Sequence, residues 1–257
     1  MASISVASAR RFVETAELPP AYRRLDVGPA ATVALDTAKN QAAVVGSEVV
    51  SFVSGVTAER RAAIIDSSLL AQMVARRRVG DPNRIYDWYD AYFDVLTNIG
   101  WVVQDRSFAE YHERHANFEA YQAILAVATA LMGAAPTALA LVTTTLDALQ
   151  SMDASSPWIA IFNRESRAAR TARFQISLAE QDPSGQFFVT LMAFGLEARS
   201  TITHVLFFRS KASEAMLRHY SGRVTINTDV LDGVHGAIKA KLAGLTADYI
   251  KMLPELG

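Results

Sequence analysis

The chain has 257 residues, and its 25 Lys and Arg residues against 26 Asp and Glu residues give a formal net charge of -1. A chain of this length can bury a core that needs no covalent staple, and the absence of cysteine excludes disulfides, thiol nucleophiles and cysteine-ligated metal sites. The balanced charge provides no overall field for nucleic acid, so a nucleic-acid partner is not expected.

Residues 1–30 are predicted to form a loose N-terminal arm, because prolines interrupt the segment and its apolar residues follow no sustained period. Arg10 and Arg11 resemble the start of an export signal, but charged residues and prolines follow where such a signal needs an apolar stretch. We therefore expect a cytoplasmic protein by default, and export without a cleavable signal peptide stays open.

Residues 31–155 are predicted to be a helical subdomain. Apolar residues recur at steps of three and four from Asp36 onward, which predicts a first helix that ends before Gly55. Thr57 is the expected N-cap of a second helix, which Gly80 terminates.

A third helix is predicted after Asp81 and Pro82, which match an N-cap followed by proline at the first helical position. Its opposite side carries Asp87, Asp90 and Asp94, which we interpret as a solvated face. Its core face is broad and largely aromatic: Ile85, Trp88, Tyr89, Tyr92, Phe93, Leu96 and Ile99.

Residues 120–146 contain no charged side chain. Gly133 and Pro136 divide this run, which predicts two helices over residues 118–132 and 137–152. Helices that are apolar on all sides belong either to a deep core or to a membrane. Each helix would be about 22 Å long against a hydrocarbon core of about 30 Å. The two interpretations are a buried hairpin and a hairpin that inserts conditionally into a membrane.

Residues 156–257 are predicted to form an antiparallel sheet and a C-terminal helix. Apolar residues alternate with polar ones over 174–178, whereas 187–196 and 202–208 are apolar on both faces. The final helix is expected from residue 228 to about residue 253. The predicted fold class is α+β: an N-terminal layer of about five helices, then an antiparallel meander that the C-terminal helix covers, all packed as one unit.

His112 and His115 are the residues in the sequence that come closest to a metal-binding motif. On a helix, His115 and Glu119 would share a face, with His112 three residues earlier. Imidazole and carboxylate ligands suit zinc or iron, but a polar connection before an apolar helix explains the same residues. The sequence contains no nucleotide-binding, nucleophile-elbow or metalloprotease motif, so no cofactor is predicted.

Four arginines recur at every third position: Arg164, Arg167, Arg170 and Arg173. Guanidinium groups bind phosphates in a bidentate manner, so these residues are candidates for an anion or lipid headgroup site. The alternative is an exposed polar loop.

The C-terminal helix carries a stripe of small residues opposite its large apolar residues: Gly233, Gly236, Ala240 and Gly244. Each interior glycine costs about 1 kcal/mol relative to alanine, which indicates that another helix or a second copy of the chain approaches closely.

Three functional hypotheses follow. The first is a non-catalytic protein that acts through its surfaces, by homo-oligomer assembly or partner docking. The alternative is a membrane-active, toxin-like or lipid-binding protein that uses the 118–152 hairpin. The third is a metal-dependent or other hydrolase centred on His112 and His115.

Overall fold

In the computed structural model, which describes residues 4–20, 35–113, 115–133, 135–181 and 186–253, the chain is an α+β protein with an open mixed sheet. The described helices are α1 (Val6–Thr15), α2 (Ala58–Arg78), α3 (Ile85–Asn98), α4 (Ala120–Met132), α5 (Pro136–Gln150), α6 (Pro157–Ser166), α7 (Thr228–Leu242) and α8 (Thr246–Tyr249). The described strands are β1 (Gln41–Val45), β2 (Glu48–Phe52), β3 (Trp101–Val102), β4 (Ala109–Tyr111), β5 (Asn117–Glu119), β6 (Arg167–Ala168), β7 (Thr171–Gln181), β8 (Phe187–Ala198), β9 (Arg209–Lys211), β10 (Ala215–Ile226) and β11 (Ile250–Met252). The α+β class predicted from the sequence is confirmed.

The large sheet has the strand order β11-β1-β2-β7-β8-β10-β3, with β4 added to β10 and β6 added to β7. The sheet is mixed rather than antiparallel throughout, because β2 runs parallel to β7 with Glu48 opposite Gln175. Strands from both predicted regions, 31–155 and 156–257, therefore share one sheet. β5 and β9 form a separate antiparallel pair.

The helix predicted from Asp36 to the residues before Gly55 is wrong, because this segment forms the β1–β2 hairpin. Gly46, at φ +56°, occupies the turn. The run matched a helical period because both faces of these strands are apolar and buried. Its β-branched valines and the glycine in its centre favour strands.

The next two helices are confirmed. Thr57 caps α2, since its Oγ1 accepts a hydrogen bond from the backbone N–H of Arg60 at 3.3 Å. α3 begins at Ile85, later than predicted, because Asp81 Oδ1 accepts from the N–H of Asn83 and forms a turn instead of a cap. The predicted aromatic face of α3 is buried.

Helices α4 and α5 confirm the predicted pair. Helix α6 was not predicted, although Pro157 stands at its first position. Residues 202–208 are a loop rather than a strand, with Thr203 and His204 exposed and its other residues buried or half-buried. The apolar residues of the loop point into the protein, and Asn163 Oδ1 accepts a hydrogen bond from the N–H of Val205 at 3.0 Å.

The C-terminal helix is shorter than predicted. α7 ends at Leu242, and Gly244 follows at φ +87°, a conformation that favours glycine. The chain then forms α8 and β11, which pairs with β1.

Alternate residues of the central strands enter two separate cores on opposite faces of the sheet. In β8, Val189 and Leu191 belong to the first core, whereas Met192 and Phe194 belong to the second. Helices α1, α2, α3 and α7 contribute to the first core, and α4, α5 and α6 contribute to the second. The sheet therefore lies between two helical layers.

The N-terminal segment differs from the expected loose arm. Its residues Val6–Thr15 form α1, in which Ala9 and Val13 are buried in the first core. Lys241 Nζ also donates to the backbone oxygen of Glu14 at 2.9 Å. The remainder of the predicted arm is described only at residues 4–5 and 16–20.

Candidate functional site

The first helical layer is attached to the sheet through buried polar groups. The carboxylate of Glu48, in β2, accepts hydrogen bonds from the hydroxyls of Ser68 in α2, Ser177 in β7 and Tyr92 in α3. Burial raises the pKa of Glu48, and these hydroxyl donors offset part of that rise. One carboxylate thus joins two helices and a neighbouring strand.

Helix α3 is also bound to the sheet by Tyr89. Its hydroxyl lies 2.9 Å from the backbone oxygen of Phe174 and 2.8 Å from that of Phe194, and it accepts from Gln175 Nε2 at 3.0 Å. Burial holds the pKa of Tyr89 far above its usual value, so the hydroxyl remains a donor. The bond ties α3 to both central strands.

Helix α2 has a comparable contact through Gln72. The side-chain Nε2 donates to the backbone oxygen of Val45 at 2.8 Å, and Oε1 accepts from the N–H of Ser47 at 2.9 Å. The turn of the β1–β2 hairpin is therefore bonded to α2. Together these contacts anchor the first layer by directional bonds.

The opposite layer contains the helical hairpin, here residues 120–150 of α4 and α5. Within its described residues, Thr145 provides the only side-chain hydrogen bond to a strand of the large sheet, with Ser51 Oγ 3.0 Å from Thr145 Oγ1. The Thr145 hydroxyl also bonds the backbone oxygen of Leu141 at 2.8 Å, which makes Ser51 the donor. The other buried side chains of the hairpin are apolar: Ala120, Ala123, Ile124, Val127, Ala128, Met132, Ala138, Leu141, Val142, Leu146 and Leu149.

The outer face of the helical hairpin is exposed and uncharged as far as Leu146. Its exposed residues are mostly small or polar: Gln122, Ala126, Thr129, Ala130, Gly133, Ala135, Pro136, Thr137, Ala140 and Thr144. The run is thus an outer layer with one buried side, rather than a helix pair enclosed on all sides. Among the residues that the structure describes, no helix is long and apolar enough to cross a membrane.

A cavity of about 130 Å³, here the base pocket, lies where α4 begins and α5 ends. The rings of Tyr121 and Phe207 lie beside each other, with centroids 6.3 Å apart and planes tilted by 34°. Tyr121 donates its hydroxyl proton to Asp147 Oδ1, and burial together with that carboxylate raises the pKa of Tyr121 to about 12. The pocket is lined by Glu119, Tyr121, Gln122, Gln150, Phe207, Phe208 and Arg209.

The sequence did not indicate the base pocket, because its two halves are distant along the chain. Pairing of β5 with β9 sets Glu119 opposite Arg209, and their side chains approach to 3.4 Å. The predicted strand over residues 202–208 includes Phe207 and Phe208, and a strand at this position gives no indication that Phe207 contacts Tyr121 of α4. No local spacing would have revealed this contact.

The histidines of the candidate metal site have different neighbours. His112 Nδ1 lies 3.8 Å from a carboxylate oxygen of Glu110, and His115 Nδ1 lies 3.0 Å from Glu113 Oε1. Glu119 is paired with Arg209 instead. Among the described residues there is no group of three or more His, Asp or Glu side chains that could hold a metal ion, so the predicted set is not brought together here.

The four arginines of the candidate anion site are also not brought into one cluster. Arg164, at the end of α6, pairs with Glu165 and donates to the backbone oxygen of Asp248 at 3.0 Å. Arg167, in β6, donates to the backbone oxygen of Ile202 at 3.0 Å. Both guanidinium groups satisfy backbone carbonyls within the fold.

The other two arginines differ in exposure. Arg170 is exposed in the turn between β6 and β7, whereas Arg173 is buried in β7. The Arg173 guanidinium lies 4.6 Å from the ring centroid of Trp88, and burial, with a smaller effect of Arg76, lowers its pKa to about 10. Binding of an anion by any of the four stays a prediction.

The small-residue stripe on α7 is covered at one end only. A Cβ added to Gly233 would lie 2.6 Å from Cγ1 of Val6 in α1, so this glycine permits the close approach of the two helices. A Cβ added to Gly236 would meet nothing within 4 Å, and Ala240 is exposed, whereas Gly244 lies beyond the end of α7 and is not part of the helix face. Part of the stripe is therefore an internal helix contact and the rest is open.

No family model and no curated protein matches this chain. Among solved structures, it is similar to a delta-endotoxin at 11% identity, over 83% of this chain and 96% of that one, with a TM-score of 0.35. It is also similar to the Evf virulence factor at 10% identity, over 74% of this chain and 77% of that one, again with a TM-score of 0.35. Likenesses at these scores define neither fold nor function.

Proposed function

We propose that this chain is a non-catalytic protein that associates with membranes through the helical hairpin. The observation that carries the proposal is the unequal attachment of the first helical layer and of the helical hairpin to the sheet. Buried hydrogen bonds from Glu48, Tyr89 and Gln72 anchor the first layer, whereas the hairpin meets the large sheet through apolar contacts and the Ser51–Thr145 bond.

Apolar contacts are not directional, and the hydrocarbon chains of a bilayer are as apolar as the side chains of the sheet. Exchanging contacts with the sheet for contacts with lipid therefore costs little free energy. The inner face of the hairpin can therefore leave the sheet for lipid with the loss of one side-chain hydrogen bond to it. Its outer face brings no charge that would have to be desolvated before Asp147. The hairpin combines a detachable inner face with an outer face that lipid tolerates.

The length of the helices limits the mode of association. α4 has 13 residues and α5 has 15, so they are about 20 and 22 Å long, shorter than a hydrocarbon core of about 30 Å. The hairpin is therefore expected to enter one leaflet or its interface rather than to span the bilayer.

The test is flotation with vesicles that contain both phosphatidylcholine and phosphatidylglycerol. The wild-type chain is expected to float with the vesicles. Ala126→Lys adds a charge to an exposed position of α4, so it should fold normally and bind vesicles about tenfold more weakly. Ala7→Lys makes the same change at an exposed position of α1, outside the hairpin and outside the small-residue stripe of α7, and is the matched control, with binding unchanged.

A wild-type chain that does not float would overturn the proposal. Equal weakening by both substitutions would also contradict it, because it would show that the loss of binding is not specific to the hairpin. Circular dichroism of each variant checks that the fold is retained.

Self-association is the second candidate function. The observation that favours it is the exposed part of the α7 stripe, where a Cβ added to Gly236 would meet nothing within 4 Å. Small residues allow the backbones of two helices to approach closely, so a second copy of the chain would fit at this position.

A further inference from the structure

We propose that the base pocket binds the quaternary ammonium group of a phosphocholine headgroup. This inference deepens the proposed function, on which the choice of a lipid headgroup rests. The pocket lies at the end of the helical hairpin opposite to the turn between α4 and α5, and it contains both aromatic and charged side chains.

The size of the pocket selects a small group. Its volume is about 130 Å³, whereas sites for drug-sized molecules occupy roughly 300–1,000 Å³. An acyl chain or a nucleotide is too large to be enclosed there. A trimethylammonium group is compact enough to be covered on one side.

The aromatic pair supplies the recognition surface. Quaternary ammonium ions bind to the faces of aromatic rings, because the ring quadrupole places negative charge there. Tyr121 and Phe207 present two rings that are tilted relative to each other and only half-buried, so a methylated cation can contact both.

The charged side chains around the two rings match a ligand that carries both a positive and a negative charge. Glu119 is 35% exposed and Asp147 accepts the hydroxyl of Tyr121, so two carboxylates flank the ring surface and favour a cation. Arg209 is 71% exposed and pairs with Glu119 at 3.4 Å, so a phosphate on the same ligand would share this guanidinium with the carboxylate. α4 begins at the same place, and its N-terminal dipole favours that phosphate as well. Ammonium and phosphate therefore have separate contacts.

The experiment titrates the full chain with three soluble probes, followed by ¹H–¹⁵N NMR: phosphocholine, tetramethylammonium chloride and inorganic phosphate. Phosphocholine and tetramethylammonium should compete for one site and shift the same resonances around Tyr121. Inorganic phosphate alone should bind at least about tenfold more weakly than phosphocholine, because it lacks the cation.

Tyr121→Leu and Phe207→Leu should each weaken phosphocholine binding by about tenfold or more. Tyr121→Phe keeps the ring and should stay within about twofold of the wild type. Tyr111→Leu removes a half-buried tyrosine outside the pocket and is the matched control. Using two independent ring variants keeps the test decisive if one of them fails to fold.

Several results would overturn the inference: no binding of phosphocholine, equal binding of inorganic phosphate, or a folded Tyr121→Leu variant that retains full affinity. Vesicle flotation without phosphocholine binding would reject the headgroup site and leave the membrane proposal in place. Phosphocholine binding without flotation would support the site and reject the membrane proposal.

Discussion

Glu48 is a carboxyl group that is entirely removed from solvent and held by hydroxyl donors. Burial disfavours its charged form more than these donors favour it, so its pKa in the folded chain is raised. A group whose pKa is higher in the folded than in the unfolded state contributes stability below the unfolded pKa, and that contribution is lost as the pH rises through the folded pKa.

Glu48→Gln should remove the pH dependence of stability that Glu48 causes, because the amide keeps the shape of the side chain and carries no charge. We expect the free energy of unfolding of the variant, relative to the wild type, to increase as the pH is raised from about 4 towards neutral. Urea denaturation at several pH values measures this difference.

Asp90→Asn is the control, because the Asp90 side chain is exposed on the outer side of α3. The free energy of unfolding of Asp90→Asn should differ little from that of the wild type at every pH. A Glu48→Gln variant that loses stability relative to the wild type as the pH rises would show that the hydroxyl donors outweigh burial.

Helix α7 meets two different environments along one stripe of small residues. Gly233 is packed against Val6 of α1, whereas Gly236, one turn later, faces open space. The same substitution should therefore have different effects at the two positions.

Gly236→Leu should lower the oligomeric mass if a second copy binds here, because the side chain holds the two backbones apart. The fold should be retained or stabilised by up to about 1 kcal/mol, since leucine favours a helix more than glycine does. Light scattering coupled to size-exclusion chromatography measures the mass, and Gly236→Ala is the control that gains propensity without bulk.

A wild-type chain that is monomeric at all concentrations would reject self-association through this stripe. Gly233→Leu provides the internal contrast. This substitution should lower the free energy of unfolding by about 1–3 kcal/mol, because the leucine side chain would be overpacked against α1. It should have no direct effect on the oligomeric mass.

An element could be predicted from the sequence when the spacing of its apolar residues fits either the helical period or the strand period, but not both. The aromatic face of α3 repeats over four turns and fits only a helix, so it was identified correctly. The segment around Gly46 is buried on both faces and satisfies two periods, so it was assigned to a helix. The loop at 202–208 has apolar residues that are buried, and no local signal separates it from a strand.

The candidate site was only partly predictable for the same reason. The uncharged run that forms α4 and α5 is visible in the sequence, since absence of charge is a local property. The base pocket depends on the meeting of Glu119 with Arg209 and of Tyr121 with Phe207, which only the β5–β9 pairing brings about.

At the scale of the whole molecule, the first helical layer and the helical hairpin differ in how they are attached to the sheet. The Ser51–Thr145 contact offers a direct way to prevent separation on the hairpin side, because the chain has no cysteine. Ser51→Cys combined with Thr145→Cys would place two thiols at positions whose hydroxyl oxygens are 3.0 Å apart, so oxidation can be tested as a way to cross-link α5 to β2.

The oxidised double variant should bind vesicles at least about tenfold more weakly than its reduced form, because the disulfide holds α5 on β2. Flotation with and without reductant measures this, and each single variant under oxidising conditions is the control. Undiminished binding by the oxidised form would mean that the hairpin contacts lipid without leaving the sheet.

The parallel pairing of β2 with β7 also has a consequence for how the chain folds. The β1–β2 hairpin can form from local contacts, but its partner strand begins only at Thr171. A ribosome must therefore release more than half of the chain before the centre of the sheet can close, and contacts of such sequence separation slow folding. Until then one edge of β2 has no partner strand, which is the kind of edge that aggregates or recruits a chaperone.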